Sequence, residues 1–190
     1  GCPMRHALVT TLENTPVIPA VKTPEELPAA LRAEGGVVFL LCGDILNIGE
    51  LIARIHAANR RAVVHADLVA GLAPREIAVD FLQCCGADGI ISTRPLLIRR
   101  GRELGLLTVL RAFVIDSKAI ESLAREAESA APDVVEMLPA PMPRVVRRLA
   151  QSLRAPLIAG GLITDKEDVL AALSAGALCV STSDETLWSI

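Results

Sequence analysis

Aromatic residues are nearly missing from this 190-residue chain, which has no tyrosine, three phenylalanines and one tryptophan. With 52% of its residues apolar, the core must be aliphatic, which suits a parallel sheet covered on both faces by helices. The same scarcity leaves little for stacking nucleic-acid bases. Surplus positive charge is also lacking, the formal net charge being −3, so any nucleic-acid contact must be local or depend on a ligand. No apolar run approaches the length of a membrane span and no signal-peptide pattern appears. The cysteines, Cys2, Cys42, Cys84, Cys85 and Cys179, are odd in number and form no C-x-x-C. They point to a reduced, cytoplasmic protein without a zinc site. There is no low-complexity segment, linker or sign of a second domain, and a chain of this length can bury a real core as one domain.

What is present is alternation. Short apolar runs occupy 17–21, 37–41, 62–65, 89–92, 108–112, 134–138, 157–159 and 178–181. Between them lie amphipathic patterns with apolar residues three and four apart, over 24–34, 47–59, 73–84, 116–130, 143–153 and 165–175. Thr23 and Asp116 stand where helix caps belong, and Pro95 suits the first position of a further helix. Eight strands, seven clear crossovers and a short last helix make a compact α/β (β/α)8 barrel of TIM type over residues 17–190, with residues 1–16 as an N-terminal arm or cap. A Rossmann sheet is the weaker reading, because its first strand should run into G-x-G-x-x-G and here ends Ala20-Val21-Lys22.

In such a barrel, function collects at the C-terminal ends of the strands. In order, these exits carry Lys22, Asp44, His65 with Asp67, Arg94, Arg111, Glu136, Gly160-Gly161 and Ser181-Thr182-Ser183. The last two are the exits of the seventh and eighth strands, the usual seat of a phosphate. Glycines allow close backbone approach there, and hydroxyls and unpaired helix N-terminal amides suit an anion. Lys22 is one of only three lysines beside sixteen arginines. It could face a phosphate or be a solvated loop charge. Asp44 could accept from ligand hydroxyls or simply shape a turn. His65 and Asp67 are two apart and, on a strand, would share a face. Arg111 inside the fifth strand needs a partner if buried, and Glu136 on the next strand is a natural one.

Catalytic readings are less specific. A Schiff-base aldolase would need an interior lysine, and only Lys22 is available. No cofactor motif is present. Asp44, His65, Asp67 and Glu136 are groups a divalent metal could recruit, but their spacing is not diagnostic. His65 and Glu136 could serve an acid–base isomerisation. A phosphosugar lyase or isomerase using the same mouth is therefore the alternative to a binding protein without a catalytic set, and a ligand-free scaffold is a third class.

The chain also resembles the glycerol uptake operon antiterminator regulatory proteins, which respond to glycerol 3-phosphate. The resemblance rests on Glu13-Asn-Thr-Pro-Val-Ile-Pro-Ala-Val-Lys22, Gly43-Asp-Ile-Leu-Asn47, His65-Ala-Asp-Leu68, Asp88-Gly-Ile-Ile-Ser-Thr-Arg-Pro95, Arg111-Ala-Phe113, Ile115-Asp-Ser117, Leu138-Pro-Ala-Pro-Met-Pro143, Ala159-Gly-Gly-Leu-Ile163, Ser181-Thr-Ser183 and Leu187-Trp188. It implies a small barrel that binds glycerol 3-phosphate without converting it. It also implies a partner in leader mRNA, on which the liganded protein lets polymerase read through a terminator ahead of glycerol-utilisation genes. The phosphate would then fall to Gly160, Gly161, Ser181, Thr182 and Ser183. The glycerol end would meet Asp67, Glu136 and Asp44, with Lys22, Arg94 and Arg111 balancing charge. Two departures stand out: Ala140-Pro141 where the family motif has Gly-x, and Asp184 where Asn is common. Both bear on ligand affinity. Basic clusters at Arg60-Arg61, Arg99-Arg100-Arg102 and Arg144, Arg147, Arg148, Arg154 are the places an RNA could touch, or else solvated helix faces. Residues 138–143 are the candidate lid, no membrane is expected, and the chain is compatible with a homo-oligomer.

Overall fold

The computed structural model describes residues 3–140 and 142–190. Eight parallel strands close into a barrel in chain order: β1 (Val17–Val21), β2 (Val37–Leu40), β3 (Arg61–His65), β4 (Gly89–Ser92), β5 (Leu107–Phe113), β6 (Val134–Leu138), β7 (Leu157–Gly160) and β8 (Cys179–Thr182). β8 returns to pair with β1 through Ile18 and Ser181. The crossovers are α2 (Leu27–Arg32), α3 (Ile48–Ala57), α4 (Glu76–Cys84), α5 (Pro95–Glu103), α6 (Ser117–Ala130), α7 (Pro143–Ser152) and α8 (Lys166–Ser174), and α1 (Pro3–Glu13) precedes β1. The short last helix is a single 3-10 turn, Glu185–Leu187. No helix among the described residues is long and apolar enough to cross a membrane.

Every strand lies where the apolar runs placed it, to within a residue at each end. Two helices begin differently, and proline is the reason in both. The 24–34 segment opens as a 3-10 turn (Pro24–Glu26), with Leu27 N–H bonded to Pro24 O. Pro28 has no N–H to give the i→i−4 bond that would make that turn α-helical. The 73–84 segment becomes helical only at Glu76: Arg75 is extended and its N–H bonds back to Ala73 O at 2.8 Å, and Pro74 disfavours helical backbone at Ala73. Asp116 does cap, its side chain accepting from Ala119 N at 2.8 Å, and Asp165 caps α8 in the same way, accepting from Asp168 N at 2.8 Å.

Two apolar layers follow from the pleat. Ile18, Phe39, Val63, Ile91, Val109, Val134, Ile158 and Cys179, one from each strand, meet inside the barrel. Residues of the opposite parity, such as Val38, Val64, Ile90, Leu110 and Val180, pack outward against the helices. From α1, Leu8 and Leu12 join the interior cluster, so this helix plugs the end of the barrel opposite the strand exits. The four described cysteines are unbridged, and burial raises the thiol pKa of Cys42 to about 11.

Candidate functional site

Two residues beyond each interior apolar residue, the pleat returns to the inside one layer higher. Counting on from Ala20, Phe39, Val63, Ile91, Val109, Val134, Ile158 and Cys179 gives Lys22, Leu41, His65, Thr93, Arg111, Glu136, Gly160 and Ser181. The layer capping the aliphatic interior is therefore largely polar. It contains Lys22, His65, Arg111, Glu136, Gly160 and Ser181 together.

Glu136 is its centre. The side chain is fully buried, accepting from Arg111 Nε at 2.6 Å on one oxygen and from Ser181 Oγ at 2.6 Å on the other. Arg111 and Glu136 are register partners on adjacent strands, so the pair needs no reach. Gly160 makes room for it: a Cβ there would lie 2.5 Å from Ser181 Oγ and 3.4 Å from Glu136 Oε2. The Nη atoms of Arg111 have no protein partner among the described residues. His65 is buried beside them with Nδ1 unpartnered among the described residues, and Asp67 at 4.0 Å is too distant for a hydrogen bond. Burial first, then the Arg111 charge, lowers the His65 pKa to about 4 against the opposing pull of Asp67.

Above this layer opens a cavity of about 700 Å³, whose lining includes Lys22, Arg111, Gly161, Ser181, Thr182 and Ser183. The bends after β7 and β8 thus stand side by side at the strand exits. Thr182 ties them, its Oγ1 donating to Ile163 O at 3.2 Å and accepting from Asp184 N at 3.1 Å. Trp188 Nε1 donates to Thr182 O at 2.8 Å from beneath. The backbone N–H groups of Gly161, Leu162, Ile163 and Ser183 have no acceptor among the described residues. Gly161 and Leu162 both have left-handed backbone, with φ of 73° and 53°. For the leucine this costs about 1–2 kcal/mol, and its side chain is 68% exposed at the rim. Only the three-dimensional turn could reveal Leu162 as part of the site, since nothing in the composition of the bend singles it out.

Other expected site residues lie elsewhere. Asp44 shapes a turn, its Oδ1 accepting from Leu46 N and Asn47 N at 2.8 and 2.9 Å. Asp67 is not on the strand: β3 ends at His65 and a 3-10 turn, Ala66–Leu68, follows. The shared-face expectation for His65 and Asp67 therefore fails, because the pleat stops between them. Asp67 instead joins β3 to β4, accepting from Ser92 Oγ, Thr93 N and Thr93 Oγ1. Arg94 precedes α5 without a side-chain cap bond, its Nε 3.8 Å from Asp67 Oδ1. Asp44, Asp67, Arg94, His65 and Glu136 do not line the cavity. No group of three or more His, Cys, Asp or Glu among the described residues could hold a metal ion. Of the 138–143 segment, Leu138 lines the cavity and Ala140 N donates to Gly161 O at 3.3 Å. Pro141 lies outside the described residues.

The glycerol-3-phosphate responsive antiterminator family matches this sequence over residues 17–188, which spans the whole barrel. The chain belongs to that family. Its members are named for regulation, and the chain stands with regulators rather than with enzymes. It is similar to the uncharacterized protein YgcP of Escherichia coli (strain K12), 34% identical over 184 residues and 96% of each chain. Among solved structures it resembles the glycerol uptake operon antiterminator regulatory protein of Listeria monocytogenes, with a TM-score of 0.89 and 34% identity over 92% of this chain and 95% of that one. A glycerol uptake operon antiterminator-related protein from Thermotoga maritima matches with a TM-score of 0.83 and 32% identity, over 92% and 98% of the two chains.

Proposed function

We propose that the mouth cavity binds glycerol 3-phosphate and that the liganded protein acts on a leader transcript to promote read-through into glycerol-utilisation genes. One observation carries the ligand half of this reading. Two adjoining bends bring Gly161, Leu162, Ile163 and Ser183, whose amides have no acceptor among the described residues, to the lining of a cavity that also receives Lys22 and Arg111. Backbone N–H groups with two nearby cations suit a dianionic phosphate ester.

The roles divide by what each group has left to offer. Gly161 and Ser183 supply donors, while Gly160 admits the Ser181–Glu136 contact rather than touching ligand. Thr182 braces the two bends. Glu136 holds Arg111, whose Nη donors, without a partner among the described residues, would serve the phosphate or the glycerol oxygens. Asp44 and Asp67, committed to backbone and hydroxyl donors of the protein, are not assigned to the glycerol end.

Calorimetric titration with glycerol 3-phosphate, glycerol and inorganic phosphate tests the ligand. Heat with the ester, less with phosphate and none with glycerol is the expected order. In vitro transcription through a glycerol-operon leader, with and without the ester, tests the RNA step. Turnover of phosphorylated sugars would instead favour the lyase or isomerase alternative.

A further inference from the structure

Three basic clusters stand out in the sequence, and the fold uses two of them internally. Arg60 donates to Gly35 O and Ala33 O, and Arg61 lies 3.6 Å from Asp88. Arg100 pairs with Asp80 and Glu103, Arg99 reaches Ser129 Oγ, and Arg102 donates to Ala131 O. The third cluster is different. Arg144, Arg147 and Arg148 on α7, and Arg154 just past its end, are exposed and have no partner among the described residues.

Their surroundings strengthen the contrast. In a chain with 22 acids and a net charge of −3, the whole stretch between Glu136 and Asp165 holds four arginines and no acid. Arg144, Arg147 and Arg148 are spaced three and four apart, so they share a helix face while Val146 and Leu149 are buried on the other. From Arg144 to Arg154 the helix and its exit run about 15 Å, the length of a few nucleotides of extended backbone. At the far end Arg154 borders a cleft of about 550 Å³ whose walls include Ala124, Ala127, Leu153 and Pro156 together with Arg102, Glu128 and Asp133, so the phosphate-binding surface ends there. With no exposed aromatic on α7, recognition there would be of phosphates, with guanidinium planes available for bases.

We infer that the arginine face of α7, continued by Arg154, is the surface that holds a single-stranded RNA backbone. This rests on the proposed action on a transcript and adds where the RNA lies. The position also explains how a ligand could be felt. The segment leading into α7 carries Leu138 in the cavity and bonds Ala140 N to Gly161 O, so the anion seat and the arginine face are joined by one short connection.

The test compares the parent protein with the triple variant Arg144→Gln/Arg147→Gln/Arg148→Gln. A second triple variant, Arg32→Gln/Arg75→Gln/Arg125→Gln, removes the same charge from exposed positions elsewhere. Fluorescence anisotropy of a labelled oligouridylate is followed across a salt series with glycerol 3-phosphate present. For the α7 variant we expect a log–log salt slope shallower by about 2 and binding on the order of a hundredfold weaker at 0.1 M salt. The control variant should bind like the parent. All three should keep their thermal shift with glycerol 3-phosphate, which shows the fold and cavity intact. Equal loss in both variants, or none in the α7 variant, overturns the assignment. So does binding to anionic lipid vesicles in place of RNA. If the parent ignores oligouridylate yet responds in the leader transcription assay, this surface is wrong and the proposed function survives. Silence in both assays removes both.

Discussion

Ser181 Oγ donates to Glu136 Oε2 at 2.6 Å, joining residues 45 positions apart in the chain. The other oxygen of that carboxylate holds Arg111, so one buried acid positions a hydroxyl and a cation of the same mouth. Glu136→Ala leaves the guanidinium buried without its counter-charge. We expect a loss of about 3–5 kcal/mol, read by urea unfolding, and a smaller loss for Glu136→Gln, which retains an acceptor. An unchanged midpoint for Glu136→Ala would show that Arg111 finds water instead.

Gly160→Ala tests the space that this contact requires. The added methyl would sit 2.5 Å from Ser181 Oγ, closer than any real packing distance. Either Ser181 leaves Glu136 or β7 shifts. A cost of about 1–3 kcal/mol is expected, together with weaker ligand binding, measured by thermal unfolding with and without glycerol 3-phosphate. A variant as stable as its parent would mean that the mouth layer is looser than this contact implies.

His65 sets an acid limit on stability. Its folded pKa is lowered to about 4 from the ordinary histidine value of 6.5, so in acid the unfolded chain takes up a proton that the folded chain refuses. Stability is therefore full above pH 6.5 and lost as pH falls toward 4, by up to about 3 kcal/mol. Denaturant titrations across that window should show the decline in the parent and a flatter profile for His65→Gln. Equal slopes would assign the acid sensitivity to other groups.

Asp184 lines the cavity while its Oδ1 caps Thr186 N at 3.0 Å. Asp184→Asn keeps a competent cap and removes a negative charge near the phosphate seat. Affinity for glycerol 3-phosphate should rise about threefold, with the gain shrinking as salt is added. Calorimetry reads this directly; an affinity that falls would place the phosphate away from the β8 bend.

The barrel was legible because its signal is local and repeated. An apolar run of three to five residues, a proline or aspartate at a helix start, and the pattern renewed eight times leave few other architectures. The family motifs were legible too, since they lie on the strand exits that barrels use. The polar exits could be named but not sorted. Whether Asp44 meets a ligand or closes a turn depends on where Leu46 N and Asn47 N point, and periodicity carries no such information.

Sequence by itself determined the eight-strand barrel, the aliphatic strands and the polar character of their exits, because runs and alternation are properties of adjacent residues. Only the tertiary structure decided which of these groups remain available. Hydrogen bonds between distant segments commit Glu136, Thr182 and Asp67 to the protein itself, while the amides of Gly161 and Ser183, the Nη atoms of Arg111 and the arginines of α7 are left without a protein partner among the described residues. That division is made by closure of the barrel, which brings residues from separate strands within a few ångströms of one another.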